Sequence, residues 1–419
     1  MEIIKVCEFP EAPAPEHIYE IIPDKAVIVG NTHRLFNKYP TRYIPQVPRW
    51  GILKYSSAGD HVLDPFCGSG TTLVEAMLNG RNAISGDIDP FARLLTRVKT
   101  TKFSNDDLIM IDKTVVEIRE KLKSNTKNHT IPNIPNINKW FTEENTRKLA
   151  AIKSLIDNVE NQNAKDYLLV VFAGIIRRCS NAESVSPKPY ISTRFPKVPS
   201  DPYDVFFEVD VLYRTAIESF SFDTKELNVG NTFLLSNDAR NIDCDSTVSL
   251  AVTSPPYINA YDYVRILKFE NMWLGLADND ELVSSRKRYV GTETASSFYL
   301  EYEHALKSPT LATILPRIRE VDKLRSEMVC TYFEDMALNM IAVHRTLKEK
   351  GRYVIVVGDS TIRNQVIPTD RILCEIAENN GFEKELSFKY VIRDRYLHLP
   401  RGDRGGIIKY DEILTIRKK

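Results

Sequence analysis

The sequence of 419 residues predicts an α/β fold organised around a glycine-rich strand–turn–helix unit. Three observations predict it. Residues 59–90 (GDHVLDPFCGSGTTLVEAMLNGRNAISGDIDP) read as strand, glycine turn, helix, strand and acidic loop. Residues 249–253 and 353–359 are apolar runs of the kind that form buried strands. Residues 385–393 and 411–417 close the chain as an antiparallel pair.

Each part of the first unit has a physical reason. Val62 and Leu63 lead into Asp64-Pro65-Phe66, and Gly68-Ser69-Gly70 break the strand. Thr71 and Thr72 open a helix that Gly80 ends. Glycines let backbone approach a ligand closely, and a helix N-terminus offers unpaired N–H groups. Asp87, at the end of the next strand with Asp89 beyond it, is placed to accept two ribose hydroxyls. A phosphate-binding P-loop would need Gly-Lys-Ser/Thr, but Thr71-Thr72 follow Gly70. A dinucleotide loop would need a third glycine. A tight turn without a ligand is the plain alternative, and the Asp-Pro-Phe prefix and the later acidic pair weigh against it.

Composition narrows the class. The formal net charge is zero, so any affinity for nucleic acid must come from a local basic face. The six cysteines form no C-x-x-C pair, which argues against a zinc site or disulfide framework and for a reducing cytoplasm. No metal is expected. No apolar run approaches the length of a membrane span, and no signal peptide is evident.

The string Asp64-Pro65-Phe66-Cys67-Gly68-Ser69-Gly70-Thr71-Thr72 resembles the AdoMet-binding motif of amino-methylating DNA methyltransferases. The resemblance implies a class I Rossmann-like methyltransferase, with a mostly parallel sheet ending in an antiparallel hairpin and a helical insertion. It implies S-adenosyl-L-methionine as cofactor, held by those nine residues together with Tyr43, Asp87, Ile88, Asp238 and Ala239. Tyr43 lies in a proline-punctuated segment, 39–50, which in this family packs beside the methionine end of the cofactor. Asp238 follows a third strand beginning at Thr232, where the family meets the adenine amino group. A bare loop aspartate is nearly as common a reading of Asp238 in isolation.

The second motif concerns the target. Residues 249–253 end in Ser254-Pro255-Pro256-Tyr257. Consecutive prolines stiffen a turn, remove N–H donors and leave free carbonyls. An exocyclic amine offers N–H donors and a lone pair delocalised into its ring. Acceptors at the Ser254 hydroxyl and Pro255 carbonyl would favour a pyramidal, nucleophilic nitrogen. Tyr257 can stack on a base swung out of the duplex. An ordinary Ser-Pro-Pro loop is the bland reading, outweighed by the order of the other motifs. In the resembled family, Ser-Pro-Pro-Tyr is typical of cytosine-N4 enzymes, whereas adenine-N6 enzymes mostly carry Asp or Asn before the prolines. Carbon-5 chemistry would require a Pro-Cys nucleophile, which is absent. The expected reaction is therefore N4 methylation of cytosine in double-stranded DNA. Adenine-N6 methylation, an RNA base amine and a non-catalytic relative are the alternatives.

The chain divides into an arm (1–38), a first cofactor-binding part (39–103), a helical insertion that is the first candidate for target recognition (104–228), and a second catalytic part (229–419) with a further insertion at 278–325. The order of the two motifs makes this a permuted arrangement. Within the arm, 25–29 read as a strand. Phe269 and Trp273 read as core. Two basic stretches are expected to contact DNA phosphates: Arg286-Lys287-Arg288, and a hairpin loop with Arg395, Arg401 and Arg404. Residues 389–419 hold nine Lys/Arg against four Asp/Glu. A partner restriction endonuclease is compatible with this reading, and oligomeric state is not legible.

Overall fold

The computed structural model describes residues 2–22, 31–36, 39–121, 129–184, 186–225, 232–234, 238–244, 247–258, 262–292, 302–392 and 409–419. Its strands are β1 (Ile3–Val6), β2 (Ile18–Ile21), β3 (His61–Asp64), β4 (Asn82–Ser85), β5 (Thr232–Leu234), β6 (Val248–Thr253), β7 (Leu347–Val357), β8 (Ser360–Ile362), β9 (Gln365–Ile367), β10 (Phe382–Val391) and β11 (Tyr410–Lys418). Its α-helices are α1 (Gln46–Tyr55), α2 (Thr71–Leu78), α3 (Pro90–Thr100), α4 (Asn105–Lys121), α5 (Ile137–Trp140), α6 (Glu143–Asp157), α7 (Gln162–Ile176), α8 (Pro202–Asp223), α9 (Tyr263–Ile266), α10 (Lys268–Leu274), α11 (Asn279–Ser285), α12 (Pro309–Val321), α13 (Lys323–Thr346) and α14 (Thr369–Asn379).

The main sheet has the order β1-β2-β10-β11-β7-β6-β3-β4-β5. Every strand pairs in parallel with its neighbours except β11, which runs antiparallel to β7 and β10. This is the expected mostly parallel Rossmann-like sheet with its antiparallel hairpin. The chain steps outward one way from β3 through β4 to β5, and the other way from β6 to β7. The switch point lies between β3 and β6, where open α/β sheets hold their ligands. β6 is buried along its whole length, as its unbroken apolar run requires.

The N-terminal residues depart from expectation. They form two parallel strands instead of a draped arm, and β2 pairs with β10 through Lys389↔Ile18 and Tyr390↔Tyr19. The hairpin is therefore interior to the sheet. β2 covers a β10 edge that would otherwise stay unpaired. Phe9 seals the contact with edge-on packing against Tyr19, Phe388 and Tyr390. The alternation was hard to read because each strand is only four residues long. The run at 25–29 lies outside the described residues.

Two helix starts have local reasons. Helix α1 carries Pro48 in its first turn, where no N–H is needed. Helix α13 begins at Lys323, with the Asp322 side chain capping the Arg325 N–H. Phe269 and Trp273 are core residues, 0% and 1% exposed. They share one apolar cluster with α3 and with the helices between 105 and 223. The helical block is thus packed against the helix that follows the acidic loop. Among the described residues, no helix is long and apolar enough to cross a membrane.

A buried carboxylate fastens this arrangement. Glu75 on α2 is 1% exposed and accepts from His33 Nε2 at 2.8 Å and from Arg49 Nε at 2.8 Å. Arg49 also donates to Glu8 at 2.6 Å, linking α2, α1 and the N-terminal strands. Burial raises the Glu75 carboxyl, but the His33 and Arg49 contacts outweigh it and hold it below its ordinary range. Removing one partner of such a group strands the others. Glu75→Ala should therefore lower unfolding free energy by about 3 kcal/mol, and Glu75→Gln by less, in urea denaturation.

Candidate active site

The glycine turn leaves the end of β3 and the Ser-Pro-Pro-Tyr loop leaves the end of β6, strands paired through Val62↔Leu250 and Leu63↔Ala251. Two motifs about 190 residues apart in sequence thereby face one cleft. The cleft holds about 780 Å³ of empty space, open solvent at its mouth included.

Asp64 organises the two loops. Its Oδ1 accepts from Thr253 Oγ1 at 2.6 Å and from the Phe66 N–H at 3.1 Å, and its Oδ2 accepts from Thr72 Oγ1 at 2.5 Å. One carboxylate thus ties together β3, β6 and α2. It is 1% exposed, and burial pushes its carboxyl up to about 6 against the pull of those donors. Tyr43 bonds to Thr72 through their hydroxyls, adding the 39–50 segment to the same network.

The turn itself is shaped by its glycines. Gly68 has φ +47°, and a Cβ there would lie 3.2 Å from the Tyr39 ring. Gly70 has φ +78° and caps α2, and a Cβ there would meet Thr96 Oγ1 at 3.0 Å. Both positions need the left-handed backbone that glycine supplies without strain.

Asp87 stands across the turn. Its Oδ2 accepts the Gly68 N–H at 2.9 Å and its Oδ1 accepts the Asp89 N–H at 2.9 Å. Each oxygen keeps a lone pair for a further donor. Burial lifts the carboxyl to about 7, although both N–H groups favour its ionised form. Asp89 caps α3 and accepts the Tyr289 hydroxyl at 3.1 Å.

The third acid, Asp238, also faces the cleft. It is forked by Arg240, with Nε at 2.9 Å and Nη2 at 2.8 Å. Burial raises this carboxyl, but Arg240 holds it below the usual range. Arg240 is held in turn by Asp335 at 2.7 Å. Ala239 presents its carbonyl to Asn339 Nδ2 at 2.8 Å.

Of the sequence-predicted cofactor residues, Tyr43, Pro65, Phe66, Cys67, Gly68, Ser69, Thr71, Asp87, Ile88, Asp238 and Ala239 line the cleft. Asp64, Gly70 and Thr72 do not. They sit behind it, where Asp64 and Thr72 join the strands and Gly70 permits close contact with α3. From the target motif, Ser254 and Pro256 line the cleft. Pro255 is buried, and Tyr257 turns its hydroxyl away to Asp411 at 2.6 Å.

The basic run at 286–288 is placed differently from a free phosphate-binding face. Arg286 is paired with Asp262, and Arg288 lines the cleft 4.0 Å from Asp238. Lys287 is exposed. Arg395, Arg401 and Arg404 lie outside the described residues. Sequence reasoning assigned no cofactor role to Tyr263, Tyr289 and Val290, which also line the cleft. Their distance from the glycine turn along the chain hides them, and folding brings the 286–290 strap across. The placement of Tyr289 directly after the basic run is the one linear signal.

The donor set suits AdoMet. Asp87 can take paired hydroxyls, Phe66, Ile88 and Val290 give apolar walls for a purine, and the turn with the α2 N-terminus closes the other end. The comparisons agree with this chemistry. Residues 12–96 match the family model described as DNA methylase, of the N6/N4 class. The chain is 27% identical to type II methyltransferase M.MvaI of Kocuria varians over 85% of this chain and 83% of the relative. It is 24% identical to type II methyltransferase M.BsoBI of Geobacillus stearothermophilus over 78% and 74% of the two chains. A shorter match, 38% identical, covers 22% of this chain and 16% of type II methyltransferase M.MjaII of Methanocaldococcus jannaschii.

These similarities support an AdoMet-dependent DNA amino methyltransferase. Its cofactor is S-adenosyl-L-methionine, and Asp87 is the group that would hold the ribose. An ionised carboxylate accepts hydroxyl hydrogens on both oxygens, whereas protonation turns one acceptor into a donor. AdoMet affinity should therefore rise with pH through about 7 and level off above it. Asp87→Asn should bind weakly with a flat profile. Calorimetric titrations on either side of that pH check this, and a pH-independent wild-type affinity would remove Asp87 from the role.

Proposed function

We propose that this DNA amino methyltransferase methylates the N4 amine of cytosine in duplex DNA, with the target base turned out of the helix. The observation that carries the reading is that Ser254 and Pro256 line the same cleft as Gly68 and Asp87. Cofactor loop and target loop open into one space, as direct transfer requires. Serine before the prolines favours cytosine over adenine, because the family's adenine enzymes mostly carry Asp or Asn there.

Bound AdoMet supplies an activated methyl group for direct transfer to the amine. The chain's own residues do the positioning. The Ser254 hydroxyl and the Pro255 carbonyl accept the amine hydrogens, leaving the nitrogen lone pair free of the ring. The two prolines hold these acceptors on a stiff turn at the end of a buried strand. Tyr257 stacks on the extruded base. No strong base is needed beforehand, because the surplus proton can leave once nitrogen has become cationic. Orientation within a shielded cleft then accounts for most of the rate.

DNA contact on this reading falls to Lys287 and to the hairpin arginines Arg395, Arg401 and Arg404, while Arg286 and Arg288 serve mainly to hold the strap. The helical insertion at 104–228 is the first candidate for target recognition, with 278–325 second. A restriction-modification system, with a partner endonuclease, is the expected setting given the type II relatives.

The test is transfer from methyl-labelled AdoMet to unmethylated duplex DNA, followed by identification of the modified nucleoside. N4-methylcytosine is expected. N6-methyladenine would correct the base while keeping the reaction class, and transfer to RNA alone would overturn the DNA reading. Tyr257→Ala should lower transfer at least a hundredfold, about the cost of lost orientation, with AdoMet affinity unchanged.

A further inference from the structure

Tyr257 is the target-loop residue whose placement the motif does not explain. Its hydroxyl donates to Asp411 Oδ1 at 2.6 Å. The other oxygen of Asp411 accepts the Tyr390 hydroxyl at 2.9 Å. Tyr390 and Asp411 are register partners on β10 and β11. Asp411 is 7% exposed, and burial raises its carboxyl above the ordinary range despite both hydroxyl donors.

A buried carboxylate between two phenols is a costly way to fill space, since apolar side chains of similar volume would pack there without desolvation. What it adds is direction. A short charge-assisted hydrogen bond fixes the tip of a tyrosine ring far more narrowly than apolar packing does. The other end of Tyr257 is constrained as well. Gly291, at φ +75°, sits against it so closely that a Cβ would lie 2.9 Å from the Tyr257 carbonyl oxygen. The residue is thus held at its backbone by the strap that borders the cofactor cleft, and at its hydroxyl by the hairpin at the centre of the sheet.

We propose that Asp411 is a positioning residue for target-base capture: it holds the Tyr257 ring, through the hydroxyl, in the orientation that receives an extruded base. Tyr390 is its second support, anchoring the carboxylate to the hairpin. The proposal rests on the reading of Tyr257 as the base-stacking residue, and the experiment separates the two.

Transfer kinetics would be measured on unmethylated plasmid DNA carrying the mapped site, with AdoMet affinity by calorimetry and thermal unfolding as controls. A duplex oligonucleotide with 2-aminopurine at the target position reports extrusion of the base by its fluorescence. Asp411→Ala and Tyr257→Phe are each expected to lower kcat about ten- to hundredfold and to reduce the fluorescence rise, with AdoMet affinity preserved. Combined, they should do no more than the worse single change, because both remove one bond. Asp411→Asn should recover part of the loss, since an amide offers an acceptor and a donor to hydroxyls that can play either role.

Wild-type kcat and fluorescence in Asp411→Ala, with Tyr257→Ala inactive, would overturn this inference alone. An active Tyr257→Ala would overturn the underlying reading of the loop. Should Asp411→Ala fail to fold, wild-type kinetics in Tyr257→Phe would overturn the inference by the same hydrogen bond, approached from its other end.

Discussion

The Asp64 carboxylate is the interaction on which the rest of the site depends. It accepts from Thr72 at the start of α2, from Thr253 at the end of β6 and from the Phe66 N–H in its own turn. Parallel strands make no direct loop-to-loop connection, so some group must set the separation between a cofactor turn on one and a target turn on the next. A buried carboxylate with three donors does this with little slack, because any relaxation would leave an unpaired acceptor in a dry interior. Its cost appears as a carboxyl displaced upward by burial.

Around that knot the acids are sorted by environment. Asp87 keeps lone pairs toward the cleft and is lifted by burial. Asp238 is neutralised by Arg240, which is itself fixed by Asp335. Asp89 is committed to capping α3 and to the Tyr289 hydroxyl. Asp411 is committed to tyrosines on both sides. Four aspartates near one cleft thus have four different partners, and only Asp87 presents a carboxylate whose described bonds are all to backbone N–H groups. That difference leaves Asp87 the acid best placed to accept donors from a ligand in the cleft.

The strap at 286–291 deserves a place in the same scheme. Arg286 ties it to Asp262, Arg288 brings it beside Asp238, Tyr289 bonds to Asp89, and Gly291 presses on Tyr257. It therefore touches Asp238, Asp89 and the loop at 254–257. A basic run of this kind invites the assumption of phosphate contact, yet two of its three cations already lie beside acids of the protein. Local acid partners, contributed from positions distant in sequence, decided where that charge went.

By itself the sequence indicated the class of fold, the cofactor and the resemblance to amino-methylating DNA methyltransferases, because these rest on short-range chemistry. The glycine turn needs its residues consecutively, the acid at the end of β4 follows within one strand–helix–strand unit, and Ser254-Pro255-Pro256-Tyr257 is a contiguous turn. The closing strands were legible for the same reason, through alternation and turn residues. The N-terminal strands were not, since four-residue segments carry too little alternation to register. Only the tertiary structure decided which motif residues face the cleft and which stand behind it. Asp64, Gly70 and Thr72 belong to the same string as Gly68 and Ser69, but their partners, Thr253 and Thr96, arrive from other elements. The same holds for the tyrosine of the target loop. Its sequence names an aromatic ring, and its orientation is set by a carboxylate 154 residues away, which only the pairing of β10, β11 and β7 beside β6 can deliver.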